Sequence, residues 1–442
     1  MNGYLERNDV LSWGRVDRHP QRIAAPRFAD ELPGFVGRRP DGGVIAIGCC
    51  RSYGDTVRNR DGGLIQTTYL DRFLSFDPST GVLRAEAGCT LNDILQRLVP
   101  KGWFVPVTPG TRFVTLGGAV ANDVHGKNHH RAGTFGRHVR RFGLLRSDGQ
   151  RLTVSRDTHP DLFSATIGGL GLTGVIDWIE IELQRISSTD LDVEIIPFAR
   201  LDEFWTLAEE SVSSHEHTVA WIDCTKGGSH LGRGIFSRAN WCADGPLVAH
   251  SARSRLGMPL ETPFTVLNRL SVSAFNEAYF RAHARKAGAH RQPYEKVFYP
   301  LDAIANWNRM YGRAGFWQYQ CVLPPQAMRA ATAALLEIIA RSKAASFLSV
   351  LKTFGPLRSP GLLSFPMEGV TLALDFPNRG PRTLALLAEL DAVVSEAGGR
   401  LYPAKDGRMP KAMWTAGYDA LDTFTAHVDP AFGSDFWRRV SK

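Results

Sequence analysis

The stretch TPGTRFVTLGGAVANDVHGKNHHRAGTFGRHV, residues 108–139, decides how the rest of this chain is read. It holds glycines at 110, 117, 118, 126, 133 and 136, and histidines at 125, 129, 130 and 138. Few apolar side chains follow Val124, so the segment is poorly suited to building a core. Glycine accepts positive φ and lets backbone approach a ligand closely. A long glycine-rich loop inside a compact domain is either functional or unstructured. Four imidazoles and Lys127 in one such loop favour function, and the expectation is a loop that wraps a bound cofactor.

Working outward, 442 residues suggest two or three domains, and 43% hydrophobic with 22% charged content suffices for a sizeable core. The net charge of +8 suits nucleic acid, a membrane surface or an anionic ligand. The basic residues are dispersed, without the Lys/Arg run of a nucleic-acid tail, so no nucleic-acid partner is expected. The six cysteines (49, 50, 89, 224, 242 and 321) are too irregular for a disulfide scaffold and read as buried thiols. The N-terminus lacks the apolar core of a secretory signal, and no apolar run approaches the roughly 18 residues of a membrane span. The expectation is a cytoplasmic protein with at most peripheral membrane contact.

Before the central loop, the first forty residues read as irregular, punctuated by Pro20, Pro26, Pro33 and Pro40. VIAIG (44–48) predicts a buried strand running into CCRSYGD (49–55), a turn bracketed by Gly48 and Gly54. Such a turn can offer backbone N–H groups to a phosphate. Alone it is better explained as a plain strand-to-loop connection. Residues 63–77 and 81–88 predict paired strands, and LNDILQRLVPKG (91–102) a helix burying Leu91, Ile94, Leu95 and Leu98. After the loop, residues 141–155 predict a hairpin and 159–166 a short helix. Gly169-x-Gly171-x-x-Gly174 matches the dinucleotide-binding pattern, but that pattern requires a strand before it and a helix after it. Here a helix precedes and a strand follows, so a Rossmann fold is rejected.

Past residue 188, a strand and helix cover SSTDLDVEIIPFARLDEFWTLAEESVSSH, and TVAWIDC (218–224) is another strand. Regular patterns are scarce from about 225 to 290, and NWCADGPLVAHSARSRLGMPLETP reads as an exposed, mobile loop or a lid. The last third reads β-α-β-β-α-β: strand 316–324, helix 325–344, strands 347–355 and 369–377, helix 382–399, strand 400–405. That is the ferredoxin-like split unit, with one sheet face free to receive a substrate.

CCRSYGD, the 108–139 loop, LGLTGVI (170–176), WNRMYGRAGFWQYQ (307–320), LKTFGPLRSPGLLSFP (351–366) and LYPAKD (401–406) together resemble the vanillyl-alcohol oxidase / para-cresol methylhydroxylase superfamily of flavoproteins. Within it they resemble the decaprenylphosphoryl-β-D-ribose 2-oxidase family, from SWGR (12–15) nearly to the C-terminus and most weakly between 225 and 290. The resemblance implies an α+β, two-domain PCMH-type fold. Residues 1–188 and 400–442 would form the FAD domain, and 189–399 a substrate domain on an antiparallel sheet flanked by helices. It implies one noncovalent FAD. The diphosphate would lie against Cys50, Arg51, Ser52, Tyr53, Gly54, Gly117 and Gly118, with Gly174 and Ile176 near the adenine or ribitol end. Gly110, Thr115, Asn122, His125, Gly126, Asn128, His129, Tyr402 and Lys405 complete the implied FAD contacts.

The reaction it implies is oxidation of the C2 hydroxyl of a polyprenyl-phosphate-linked ribose to the 2-keto sugar, with a separate NAD(P)H-dependent reductase completing an epimerisation to arabinose. Such a reductive partner fits arabinan supply for a cell wall. The same-superfamily alternative is a soluble alditol or aldonolactone oxidase. Lys405, His125, Lys127 and Tyr53 are the implied catalytic group, and Lys127, Gln318, Gln320, Lys352, Lys405, Trp221 and Thr371 the implied substrate contacts. Physically, Gln318 and Gln320 share one strand face, suited to sugar hydroxyls or to solvent. Lys352 sits in an apolar strand, where an anionic partner or a route to solvent must compensate its charge. Trp221 and Trp317 suit an apolar wall or the core. Which group accepts the proton stays open. A histidine metal site is disfavoured, because His125 and His129 flank glycine in a loop with no HExxH. The family's Asn-x-Cys-x-Asp-Phe-Pro is Thr371-Leu372-Ala373-Leu374-Asp375-Phe376-Pro377 here, and its tyrosine near the pocket mouth is Phe298, beside Tyr299. A pocket asparagine and a pocket thiol are thereby lost, so the exact sugar and lipid tail stay open.

Overall fold

The computed structural model describes residues 3–250, 254, 256–265 and 267–441. Near the N-terminus, Gln21–Ala24 and Val44–Ile47 pair in parallel on either side of Gly63–Gln66, and Leu5–Arg7 adds an antiparallel edge. The first forty residues are therefore not irregular. Their strands of three and four residues are too short to display a period of two in sequence. A second, antiparallel sheet has the order Phe73–Asp77, Val82–Glu86, Val175–Glu182, Val139–Leu145, Arg151–Ser155. The expected partner of 81–88 is thus only Phe73–Asp77, because Gly63–Gln66 belongs to the first sheet. The helix Leu91–Leu98 buries its four predicted apolar residues and is capped reciprocally by Thr90 and Asp93. Around the glycine triplet, helix Pro160–Thr166 precedes and strand Val175–Glu182 follows, the reverse of a dinucleotide fold.

An eight-stranded antiparallel sheet organises the rest of the chain. Its order is Gly288–Pro293, Asp190–Phe198, Gly234–Trp241, His217–Ile222, Ser349–Phe354, Gly369–Pro377, Phe316–Leu323, Arg400–Leu401. It consists of two β-α-β-β-α-β units joined edge to edge, where Ala220 and Trp221 pair with Leu351 and Val350. The second unit matches expectation except at its end, where only Arg400–Leu401 pairs and Tyr402 begins a turn. The first unit runs through 225–290, where regular patterns are scarce in the sequence. This region holds strands Gly234–Trp241 and Gly288–Pro293 and helix Arg269–Ala284. The helix buries only Val272 and Asn276 fully, so its apolar stripe is weak in the sequence. Within the stretch expected to be mobile, residues 251–253 and 255 lie outside the described residues. Asn240 and Trp241 close a strand, and Leu256–Gly257 pairs with Ile304–Ala305.

Three helices (Leu201–Ser211, Met328–Ser342 and Pro381–Glu396) cover one face of this sheet. Phe204, Leu335, Leu336, Leu387 and Leu390 pack there against Ala220, Leu351, Leu372 and Leu374. Helix Arg269–Ala284 lies on the opposite face, where its Tyr279 ring sits 4.7 Å from that of Trp221. The C-terminus then returns to the first sheet. Val44 N–H donates to Ala431 O at 2.9 Å, Gly433 N–H to Val44 O at 2.9 Å, and Asp435 N–H to Arg58 O at 2.8 Å.

Arg439 clamps this return by a two-pronged pair with Asp55, at 2.9 and 2.8 Å, and by a contact with Asp406 at 3.2 Å. Burial alone would push the Asp55 carboxyl up, and the guanidinium opposes that. Removing one partner of this half-buried pair leaves a partly desolvated charge, at a cost of about 2 kcal/mol. Arg439→Met should lower stability by about that amount in urea denaturation, and adding Asp55→Leu should restore part of it. Additive losses from the two substitutions would rule out the clamp.

Candidate active site

Between the open face of the eight-stranded sheet and the loops around residues 46–57, 108–127 and 170–176 lies a cavity of about 1010 Å³. That is the upper end of the range for ligand pockets. Its wall includes Cys50, Arg51, Ser52, Tyr53, Gly110, Thr115, Gly117, Gly118, Asn122, His125, Gly126, Gly174, Ile176, Tyr402 and Lys405. Among the described residues, the backbone N–H groups of Cys49, Cys50, Arg51 and Ser52 donate to no protein acceptor. Cys50 takes a positive φ of 50°, which turns the run inward. Consecutive free N–H groups on a cavity wall form an anion cradle of the kind a diphosphate fills. Gly117 and Gly118 play another part. Their N–H groups are already given to Ala87 O and Thr115 Oγ1, and a Cβ on Gly117 would lie 3.1 Å from that of Ala87. They permit close packing of the short helix Leu116–Ala121 rather than supply donors.

The second wall comes from the far end of the chain. Tyr402 to Asp406 form a turn closed by Lys405 N–H to Tyr402 O at 2.9 Å, and Tyr53 N–H donates to Ala404 O at 2.8 Å. A Cβ on Gly54 would lie 1.6 Å from Asp406 O, so only glycine allows this contact. As a result the Lys405 ammonium lies 4.0 Å from the centre of the Tyr53 ring. Tyr402 donates its hydroxyl to Asn122 O at 2.9 Å and stacks on Phe365 with ring centres 4.5 Å apart.

The roof is the sheet itself, where cross-strand register gathers polar residues from three strands. Gln320 pairs with Ala373, Lys352 with Thr371, and Gln318 with Asp375. Gln320 Nε2 donates to Thr371 Oγ1 at 3.2 Å and meets His125 Nε2 at 3.0 Å. Lys352 Nζ lies 3.3 Å from His125 Nδ1. Both ring nitrogens of His125 are thus engaged. Gln318 Nε2 donates to Asp375 Oδ1 at 2.6 Å, and Tyr311 OH reaches Asp375 Oδ2 at 3.4 Å. Trp221 lines the roof and donates Nε1–H to Phe347 O at 3.0 Å.

Burial dominates the electrostatics. It lowers Lys405 to about 8, with nearby Asp375 opposing the shift, and lowers Lys127 to about 8. Lys352 falls to about 7, through burial and the charges of Lys127 and Lys405. Burial and then Lys352 push His125 well below the usual imidazole range. Burial raises Asp375 to about 7, against the Gln318 hydrogen bond and Lys405. Three half-buried amines sharing one cavity form a site complementary to anions.

Several expected contacts lie elsewhere. Gly54 packs on the Asp406 backbone and is absent from the cavity wall. Asn128 points away and donates Nδ2–H to Pro106 O at 2.9 Å. His129 is buried beside Phe354, its ring centre 4.4 Å away, behind the wall. Trp317 is likewise outside, donating to Asn378 Oδ1 at 3.2 Å. Lys127 lines the cavity, with its ammonium donated to Val297 O. Phe298 is buried in the wall, and Tyr299 OH meets Thr108 Oγ1 at 2.6 Å. The loop itself is no exposed flap. Val124, Asn128, His129, Thr134 and Phe135 are all buried. Sequence reasoning missed the wall residues Tyr279, His283 and Lys286, whose spacing of four and three would have betrayed one helical face. It also gave no role to Asp123, which accepts hydrogen bonds from Ser359, Ser364 and Gly136 N–H and so ties the loop to residues 359–364. Among the described residues, no group of three or more His, Cys, Asp or Glu is placed to hold a metal ion.

Comparison with known proteins agrees with this geometry. Residues 21–155 match the family model of an FAD binding domain. The chain is 37% identical to decaprenylphosphoryl-β-D-ribose oxidase of Mycolicibacterium smegmatis, over 98% of this chain and 97% of that protein. The chain belongs to the family of that FAD-linked oxidase. It is also 35% identical to an uncharacterised protein of Streptomyces coelicolor, over 79% of this chain and 99% of that one. A D-arabinono-1,4-lactone oxidase of Yarrowia lipolytica is more distant, 24% identical over 45% of this chain. The protein is therefore an FAD-dependent oxidoreductase of α+β, two-domain PCMH-type fold. The cradle of free N–H groups and the basic cavity fit that cofactor.

The lowered Lys352 value has a thermodynamic consequence. With a folded value of about 7 against roughly 10.4 for a free lysine, the unfolded chain binds more protons between those limits. Stability of the flavin-free protein therefore rises with pH across that window. Lys352→Met should flatten the rise in melting temperature between about pH 7 and pH 9. An unchanged slope would show that Lys352 is not a desolvated amine.

Proposed function

We propose that this protein oxidises the C2 hydroxyl of a polyprenyl-phosphate-linked ribose to the 2-keto sugar. The observation that carries the reading is the placement of three half-buried amines and two glutamines over one cavity, with Lys405 at the Tyr53 end. The name of the Mycolicibacterium relative supports the substrate class. In this reading residues 1–188 and 400–442 form the FAD domain and 189–399 the substrate domain. Bound FAD supplies the hydride acceptor. The free N–H groups of Cys49 to Ser52 would cradle its diphosphate, Gly110, Thr115, Asn122 and Gly126 would border it, and Gly174 and Ile176 would flank its far end.

Lys405 holds positive charge where negative charge develops on hydride transfer, and Asp375 keeps that lysine protonated. Gln318 and Gln320 hydrogen-bond sugar hydroxyls, fixed by Asp375 and Thr371. Tyr53 orients the reacting hydroxyl, and Trp221 forms the apolar wall beside it. The hydroxyl proton passes to the His125–Lys352 pair, in which the lysine, lowered to about 7, is unprotonated in a large fraction of molecules at neutral pH. Lys127 supplies a further half-buried amine for the substrate phosphate. FAD binding is noncovalent, since both nitrogens of His125, the loop histidine on the cavity wall, already have partners. The keto product requires a separate NAD(P)H-dependent reductase to return it to an alcohol with inverted configuration. Contact with the membrane that carries the substrate is peripheral. Among the described residues, no helix is long and apolar enough to cross a membrane.

Anaerobic bleaching of the flavin by polyprenyl-phosphate ribose, compared with alditols and aldonolactones lacking phosphate, tests the substrate class. Equal bleaching by the phosphate-free sugars would refute it. Lys405→Met should keep FAD bound while slowing bleaching by about 100-fold or more. The reduction rate should fall below about pH 7 as Lys352 gains its proton, and above about pH 8 as Lys405 loses its own. Loss of the acidic limb in Lys352→Met would identify its origin, and persistence of that limb would exclude Lys352 as part of the base.

A further inference from the structure

The outer end of the cavity is framed by one stretch of chain. Leu256–Gly257 pairs in parallel with Ile304–Ala305, and Ile304, Ala305 and Asn306 line the cavity. Met258 N–H donates to Ala305 O at 2.9 Å, and Arg313 N–H to Thr262 O at 3.0 Å. The Arg309 guanidinium donates to Met258 O at 3.0 Å and Pro259 O at 2.7 Å. Arg15 and Arg18 hold Glu261 from the other side. The backbone of this rim is therefore pinned to the cavity opening.

Its side chains point the other way. Leu256, Leu260 and Phe264 are 69%, 77% and 72% exposed, and Leu270, at the start of the next helix, is 82% exposed. Single exposed apolar residues are ordinary. Four large ones within fifteen residues, on a segment whose backbone is tied to the cavity wall at Ile304–Ala305, mark an interaction surface. The same helix turns Tyr279 and His283 inward to the cavity, with Lys286 just past its end. Charge follows the same geography. Between residues 256 and 313 there are eight Lys and Arg against four Asp and Glu. Of the four acids, Glu261 and Glu277 are already paired with arginines. Lys286 and Lys296 are exposed and border the opening. Apolar side chains set among lysines and arginines are the combination that settles into an anionic membrane interface.

We propose that this rim docks the cavity opening onto an anionic bilayer, with Leu256, Leu260, Phe264 and Leu270 entering the interface and Lys286 and Lys296 meeting lipid phosphates. The proposal rests on the reading that the substrate is lipid-linked. Docking lets such a molecule pass from bilayer to cavity without exposing its tail to water. The surface is a peripheral contact specified by named residues.

The test is co-sedimentation of the FAD-loaded protein with vesicles of phosphatidylglycerol or of phosphatidylcholine, with no sugar substrate present. Binding to phosphatidylglycerol should exceed binding to phosphatidylcholine by about tenfold and weaken with salt. The triple substitution Leu256→Ser, Leu260→Ser, Phe264→Ser should lower it by about tenfold with flavin content unchanged. Lys286→Gln with Lys296→Gln should reduce the preference for the anionic lipid, giving a second readout if the triple variant folds poorly. Absence of binding to phosphatidylglycerol, or equal binding by the variants, overturns the proposal. So does a lipid-free dimer that the triple substitution dissolves, since a second copy would then cover the rim. Because the vesicles carry no sugar, a failure here is distinct from a failure of the bleaching experiment to show lipid-linked ribose as substrate.

Discussion

The contact on which the site depends is the one between Gly54 and the backbone of Asp406. No side chain fits at residue 54, so the turn from Tyr402 to Asp406 can lie directly on the loop from Gly48 to Gly54. One backbone bond, Tyr53 N–H to Ala404 O, sets the register between them, and Arg439 clamps both sides through Asp55 and Asp406. This joins three distant parts of the chain: the first parallel sheet, the last strand of the eight-stranded sheet and the C-terminal helix. Lys405 reaches Tyr53 because of that junction. A glycine that never touches the cavity is in this sense a condition for its chemistry.

The cavity stores electrostatic cost in a useful form. Three half-buried amines line one cavity, and the partial loss of solvation lowers the proton affinity of each. A lysine near neutrality can give or take a proton, and a charged lysine beside a buried carboxyl can stabilise negative charge. Asp375 separates the two roles. It lies on the strand that carries Thr371, holds Gln318 at 2.6 Å and opposes the lowering of Lys405, while Lys352 gains no such carboxylate. The same kind of side chain is thus set to two states by what lies beside it.

The roof gains its reach from duplication. One ferredoxin-like unit offers four strands, and two joined edge to edge offer eight, enough to span the cavity from the Lys405–Tyr53 end to the outer rim. The units are not equivalent. In the second, both helices lie on the covered face. In the first, Arg269–Ala284 crosses to the open face and becomes part of the cavity wall. The rim that precedes this helix and the helix's first turn expose Leu256, Leu260, Phe264 and Leu270.

Read along the chain, local patterns decided the rejection of a Rossmann fold and the second ferredoxin-like unit, and the resemblance of its motifs to a flavoprotein superfamily implied the cofactor class. Glycine spacing, turn chemistry and strand alternation are local and need no knowledge of the fold. The pairing of Gln318 with Gln320 on one face was legible for the same reason, since alternation along a strand is fixed by its pleat. Other features required the tertiary structure. The helix Arg269–Ala284 packs through a mixed face, with the Tyr279 ring on Trp221 and Asn276 Nδ2 donating to Asp223 Oδ1 at 2.9 Å, so apolar periodicity alone marks it weakly. His129 and Asn128 share the glycine-rich loop with His125, yet the short helix His129–Ala132 carries His129 behind the wall. Composition cannot distinguish neighbours that face opposite ways. The convergence of Lys127, Lys352 and Lys405 also could not be read along the chain, because their proton affinities come from burial, and burial is a property of the folded whole.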